Sequence, residues 1–133
     1  YFYNVYGPKQ ISRGYMATVI GIFESQYKKK KPLTIVKPGT QSRTFTHIHD
    51  TVNACLYIWK KNLNRSYSIS SNKSYKLIQI AKFFGCKFKY IKERKGERFY
   101  SSQVKKIGNE KINQISSKID IKNYIKNFIK NNP

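Results

Sequence analysis

Strand-like and helix-like stretches alternate along this chain, and that alternation predicts an α/β fold. The runs 2–5, Leu33–Val36, 44–48 and 66–69 are rich in β-branched and aromatic residues and are bounded by turn formers. Apolar residues recur at helical spacing in 15–27, 50–63, 74–84 and from Asp120 onward. No internal repeat of 20–50 residues organises the chain, which excludes a solenoid or propeller.

Taken in order, 2–5 reads as a short strand closed by Tyr6-Gly7-Pro8, and Ile11-Ser12-Arg13-Gly14 as a loop. Met16, Val19, Ile20, Phe23 and Tyr27 then form one helical stripe, with a soft spot at Gly21. Lys28 to Lys31 is a solvated charge run at the helix exit, ended by Pro32. Leu33–Val36 is a strand broken by Pro38-Gly39, with a polar turn at 41–43 and a strand at 44–48. Asp50 is placed to cap a helix burying Val52, Cys55, Leu56, Trp59 and Leu63. Ser66 to Ile69 is strand-like. Ser74 caps a helix buried through Leu77, Ile80, Ala81 and Phe84 and stopped by Gly85. Residues 87–92 alternate Phe88 and Tyr90 with lysine, as an exposed or edge strand does. A loop at 94–98, a short helix near 102–107 and a long helix from Asp120, buried through Ile121, Tyr124, Ile125, Phe128 and Ile129, complete the chain.

The net charge is +21, but the basic residues are 22 lysines and only 5 arginines. They are spread among Asn, Ile and Tyr along nearly the whole length, whereas nucleic-acid readers cluster charge and favour arginine forks for bases. The aromatics fall mostly in helical core stripes, which argues against a stacking platform. The balance points away from nucleic acid and toward a field that attracts small anionic substrates. The longest apolar run, about 15–23, is far short of the ~20 residues of a membrane span. Cys55 and Cys86 are too few for a disulfide framework or zinc site and read as buried free thiols in a reducing compartment. With one methionine, Met16, and a strand already under way at Phe2, the sequence reads as a piece of a longer chain.

The candidate for chemistry is Arg43, set between a polar turn and a strand, where its planar fork suits a diphosphate or carboxylate. His47 and His49 have no third ligand at a familiar spacing, so no metal is expected and they read as hydrogen-bonding or capping groups. No Gly-x-Gly-x-x-Gly loop occurs, since the seven glycines never fall two apart.

Four segments lie in a telling order: Tyr3-Asn4-Val5-Tyr6-Gly7-Pro8, Pro32-Leu33-Thr34-Ile35-Val36, Gly39-Thr40-Gln41-Ser42-Arg43-Thr44-Phe45-Thr46 and Arg94-Lys95-Gly96-Glu97. Together they resemble the C-terminal part of the extended short-chain dehydrogenases, and within them the NAD-dependent nucleotide-sugar epimerases and dehydratases of the UDP-glucose 4-epimerase type. The resemblance extends to about Gly108. It implies an extended Rossmann-type fold of which this chain is the substrate-binding part. Residues 1–13 would continue from an absent dinucleotide-binding domain, 14–133 would bind the nucleotide sugar, and 44–62 would pack back on the Rossmann sheet.

The resemblance also implies roles. Asn4 would bond the phosphate side of the substrate, while Phe2 and Tyr3 would approach the nicotinamide of NAD. Thr18, Val19, Thr34 and Val36 would line the nucleotide base. Arg43 and Arg94 would grip the diphosphate from two sides, and Glu97 would take the ribose hydroxyls. Gly21 stands where the family usually has proline, Thr44 where aspartate is common, and His49 replaces the first of two aspartates before the helix. The family's catalytic Tyr-x-x-x-Lys lies upstream of the asparagine strand. The two matches here, Tyr27 with Lys31 and Tyr57 with Lys61, lie downstream of it, and composition alone gives about two. No catalytic residue is therefore assigned, and the chain alone is expected to be inactive. The expected whole is a cytoplasmic, homodimeric epimerase of a UDP-sugar with NAD. A 4,6-dehydratase is the alternative within the class, and a basic nucleic-acid-binding module the alternative outside it.

Overall fold

The computed structural model describes residues 1–61, 65–92 and 103–133. An isolated parallel bridge between Phe2 and Ile69 precedes β1 (Val5–Tyr6). There follow α1 (Val19–Lys28), β2 (Leu33–Val36), β3 (Ser42–Thr44), β4 (Thr46–His47) and α2 (Ile48–Lys61). The second half holds β5 (Tyr67–Ser70), β6 (Ser74–Lys76), α3 (Leu77–Phe83), β7 (Phe88–Ile91), β8 (Lys106–Ile107), β9 (Glu110–Lys111), β10 (Asn113–Ser116) and α4 (Ile121–Lys130). Three pairs are parallel, β1 with β4, β2 with β7 and β5 with β10; β3–β6 and β8–β9 are antiparallel. Parallel pairs joined through helices make this the α/β chain that the alternation predicts.

The core forms where α1, α3 and α4 close on β2. Leu33 and Ile35 point inward from β2 against Phe23, Ile80, Phe84 and Ile125, all at most 2% exposed. Phe84 meets Phe23, Tyr27 and Phe128 at centroid distances of 6.0, 5.9 and 6.1 Å. Tyr6, Tyr124 and His47 form a second aromatic cluster, and the Tyr124 hydroxyl donates to the Glu24 carboxylate at 2.7 Å, tying α4 to α1.

Several boundaries differ from the sequence reading for identifiable reasons. The strand at 2–5 survives only as the Phe2 bridge and the pair Val5–Tyr6. The first helix starts at Val19 rather than residue 15, because Thr18 caps it by accepting from the Gly21 amide at 3.0 Å. Tyr15 and Met16 stand exposed before it. The turn at 41–43 and the strand at 44–48 become two strands, since the chain changes partner at buried Phe45, from β6 to β1. Ser74 is no helix cap: β3 draws 74–76 into pairing and α3 begins at Leu77, where Gln79 accepts from the Lys76 amide. Gly85 does follow α3, at φ 67°. The helix near 102–107 is absent from the described residues, where Gly108 at φ 56° turns the β8–β9 hairpin instead.

Helix α2 departs most. It starts at Ile48, before Asp50, and buries Thr51 and Ala54 rather than the apolar stripe. Val52, Cys55 and Leu56 are exposed, and Trp59 is 74% exposed; Leu63 lies outside the described residues. Cys55 is thus no buried thiol, while Cys86 is half-buried and free.

Gly21 is not a soft spot. It is buried, and an added Cβ would lie 2.5 Å from the Ile11 carbonyl oxygen and 3.0 Å from Thr18 Oγ1. That carbonyl accepts from the Thr18 amide, so loop and helix start are locked backbone to backbone. Gly21→Ala is expected to destabilise by about 1–3 kcal/mol, opposite in sign to the usual gain of Gly→Ala in a helix. Chemical denaturation checks the sign.

Candidate functional site

Three residues expected at a nucleotide base meet around one hollow. Val19 from the first turn of α1, and Thr34 and Val36 from the outward face of β2, line a cavity of about 100 Å³ with Ala17, Ile22 and Ile91. Period-2 alternation explains the placement, since Leu33 and Ile35 go to the core and Thr34 and Val36 are left half-buried on the other face. Thr18 adjoins through the cap, its hydroxyl donating to Gln10 Oε1 at 2.9 Å.

Two glutamines that sequence reasoning missed fix this strand. Gln26 on α1 reaches Thr34 twice, accepting from its amide at 3.0 Å and donating to its hydroxyl at 2.9 Å. Gln41, fully buried, donates from its side chain to the carbonyls of Val36 at 3.1 Å and Lys37 at 3.3 Å, and its backbone carbonyl accepts from the Leu77 amide. The chain between β2 and β3 is therefore pinned to the end of β2 and the start of α3. Gly39 in that turn adopts φ 80°, and a Cβ there would meet Ile35 and Tyr90 at 3.0 and 3.1 Å. An uncharged amide in a polar turn carries no signal that separates such a clamp from a solvated side chain.

Arg43 sits half-buried in the middle of β3, opposite Tyr75, with Nη1 donating to the Ser42 carbonyl at 2.9 Å. Asn4, at φ 40°, donates from Nδ2 to the Thr44 carbonyl at 2.9 Å. That bond joins the first strand to the residue beside Arg43. Arg94 and Glu97 lie outside the described residues. Phe2 is 60% exposed. Tyr3 is buried and its hydroxyl is spent in a closed ring: it donates to Ser68 Oγ, Ser68 donates to the Val104 carbonyl, and the Val104 amide returns to Tyr3.

The cross-strand partner of Arg43 is itself bonded to a carboxylate. Tyr75 donates to Asp120 at 2.9 Å, and burial together with that carboxylate pushes its hydroxyl up to about 12. Asp120 also caps α4 through the Lys122 amide and meets Lys73 at 3.2 Å; burial opposes its ionisation, but these bonds hold it below the ordinary carboxylate value. His47 is buried, which lowers its pKa, and its Nδ1 accepts from the His49 amide. No group of three or more metal-ligating side chains occurs among the described residues, and none of their helices is long and apolar enough to cross a membrane.

Solved structures share this architecture. The UDP-N-acetylglucosamine 4-epimerase from Methanobrevibacter ruminantium M1, in complex with UDP-N-acetylmuramic acid, superposes with a TM-score of 0.80 at 23% identity. The UDP-glucose 4-epimerase with UDP-glucose from Thermotoga maritima gives 0.75 at 19%. Each match covers 97% of this chain and 43% of the solved one. UDP-glucuronic acid decarboxylase 3 of Arabidopsis thaliana is 29% identical over 80 residues, 59% of this chain and 22% of that protein. The chain thus spans less than half the length of these relatives. The model of the NAD dependent epimerase/dehydratase family matches residues 1–70, over half the sequence, and the chain belongs to that family.

Proposed function

We propose that this chain is the C-terminal, substrate-binding part of an NAD-dependent nucleotide-sugar epimerase of the UDP-glucose 4-epimerase type. The observation that carries the reading is that Val19 of α1 and Thr34 and Val36 of β2 line one cavity. A second support is the Asn4–Thr44 bond, which sets Asn4 beside the strand of Arg43. In this reading the cavity side of α1 and β2 takes the nucleotide base, Thr18 closing its edge, while Arg43 and Asn4 take the diphosphate. Arg94 and Glu97, outside the described residues, keep the roles that the resemblance implies, as second diphosphate clamp and ribose acceptor.

The chain fits only the margin of an NAD site. Phe2 presents an exposed ring, Tyr3 has no hydroxyl to spare, and the sequence holds no glycine-rich phosphate loop. When bound, NAD supplies a hydride acceptor for the sugar. The chain's own residues hold the nucleotide while that chemistry proceeds, and the Tyr-x-x-x-Lys pair belongs to another segment, so the chain alone is inactive. Titrating UDP-glucose into ¹⁵N-labelled protein is expected to move the amides of 18–22, 34–36 and 43–44; shifts confined elsewhere, or none, would defeat the reading.

The exposed stripe of α2 supports the domain division. In parallel α/β sheets both faces are covered, yet Val52, Leu56 and Trp59 face outward from a helix that links parallel strands. In this reading the stripe packs on the dinucleotide-binding part. The double variant Leu56→Glu/Trp59→Glu should change the stability of this chain by no more than about 1 kcal/mol, because Trp59 is mostly in water and Leu56 is 44% exposed. The same variant should separate the two parts of the longer enzyme, as limited proteolysis would reveal.

A further inference from the structure

Helix α1 ends in a Schellman motif: the Lys30 amide donates to the Tyr27 carbonyl at 2.8 Å and the Lys31 amide to that of Gln26 at 3.0 Å. The motif requires a left-handed residue just past the cap, and glycine is the usual occupant because it has no Cβ. Here the residue is Lys30, at φ 53°. Asn4 and Lys9 share the left-handed region, at φ 40° and 63°, but Lys30 is the one of the three that lines a cleft with Lys31 and Lys87, and an outlier so placed invites a search for what its side chain does.

Lys30 lines a cleft of about 640 Å³ together with Lys28, Lys31, Lys87, Tyr27 and Pro32. No acidic side chain is among the described residues that line it. Lys28 places its ammonium over the Phe128 ring at 5.3 Å, while Lys30, Lys31 and Lys87 border the same hollow, where a bound polyanion would offset the repulsion among their charges. Lysines serve phosphate as point charges, without the fork that carboxylate or guanine recognition favours. The volume suits a small organic ligand, and Tyr27 with Pro32 offers an apolar wall beside the charges. The cleft is at the C-terminal end of α1, whereas Thr18 and Val19 are at its start, a separation of about 15 Å along ten residues.

We propose that this cleft is a second anion site, binding the phosphate chain of a nucleoside di- or triphosphate apart from the nucleotide-sugar site. The discriminating variant is Lys30→Gly, because glycine suits the backbone and its melting temperature should equal or exceed that of the parent. Calorimetry at fixed ionic strength compares ATP, tripolyphosphate and adenosine in an Arg43→Ala background, which separates this site from the one proposed above. ATP and tripolyphosphate are expected to bind saturably and adenosine not; Lys30→Gly should weaken both about tenfold, the loss of one charge-assisted contact, while Lys61→Ala on α2 should not. Equal weakening by Lys30→Gly and Lys61→Ala would reduce the effect to net charge and overturn the proposal. So would an absence of saturable binding, or a duplex DNA oligonucleotide binding through Lys30 where the small phosphates do not.

Discussion

Asp50→Ala is expected to destabilise the chain by about 2–4 kcal/mol, although the residue lies on a helix surface. One carboxylate oxygen accepts from the Ser117 hydroxyl at 2.6 Å and from the amides of Lys118 and Ile119, both at 2.8 Å. Bonds to a charged acceptor contribute about 1.5–3 kcal/mol each when dry, and partial exposure here discounts the sum. What is lost is the junction between α2 and the segment entering α4. Burial raises the pKa of Asp50, but the bonds from Ile119, Ser117 and Lys118 outweigh it and leave the group below its ordinary 3.8. A depressed folded pKa gives stability that is full above the unfolded value and lost as pH falls through the folded one. The gap between parent and Asp50→Ala should therefore be widest at neutral pH and shrink below about pH 4, as urea denaturation across that range would record. A gap that does not change with pH would mean that the carboxylate is not the anchor.

Asp50 also marks where the sequence stops being legible. An acidic residue just before a helical stripe reads as an N-cap, and here it sits inside the first turn, bonded to residues 67–69 positions away. Nothing local distinguishes the two uses. The stripe on α2 fails for a related reason: its periodicity does report an apolar face, but not what covers that face. Thr51 and Ala54 fill the contact within this chain, leaving Trp59 and Leu56 outward. By contrast, β2 and the α4 stripe were legible because their partners lie within the chain, and period and burial then agree.

The site divides along the same line. Val19, Thr34 and Val36 are named through the resemblance alone, and all three line one cavity. Gln26 lies outside the segments that carry the resemblance and Gln41 lies inside one without an implied role, since an amide clamp depends on backbone carbonyls and amides that only folding brings near. Tyr3 adds a use that local sequence does not signal: the resemblance implies only an approach of its ring to the nicotinamide, while its hydroxyl closes a ring of bonds with Ser68 and Val104.

The functional reading turns on Arg43, and Arg43→Lys tests it more sharply than alanine does. β3 pairs Arg43 against Tyr75, Tyr75 is fixed by Asp120, and Asn4 holds the next carbonyl, so the backbone that presents the guanidinium is braced on both sides. If that fork meets a diphosphate, two parallel charged bonds are made, and lysine keeps the charge while losing the second bond. Arg43→Ala in the longer enzyme should weaken UDP-sugar binding by ~100-fold, about 3 kcal/mol, and Arg43→Lys should recover only part of it. The loss should appear in KM, with kcat changing little, because the diphosphate is held equally before and during the chemistry. Full recovery by lysine would leave only a general electrostatic role. No change in either variant would place the diphosphate elsewhere.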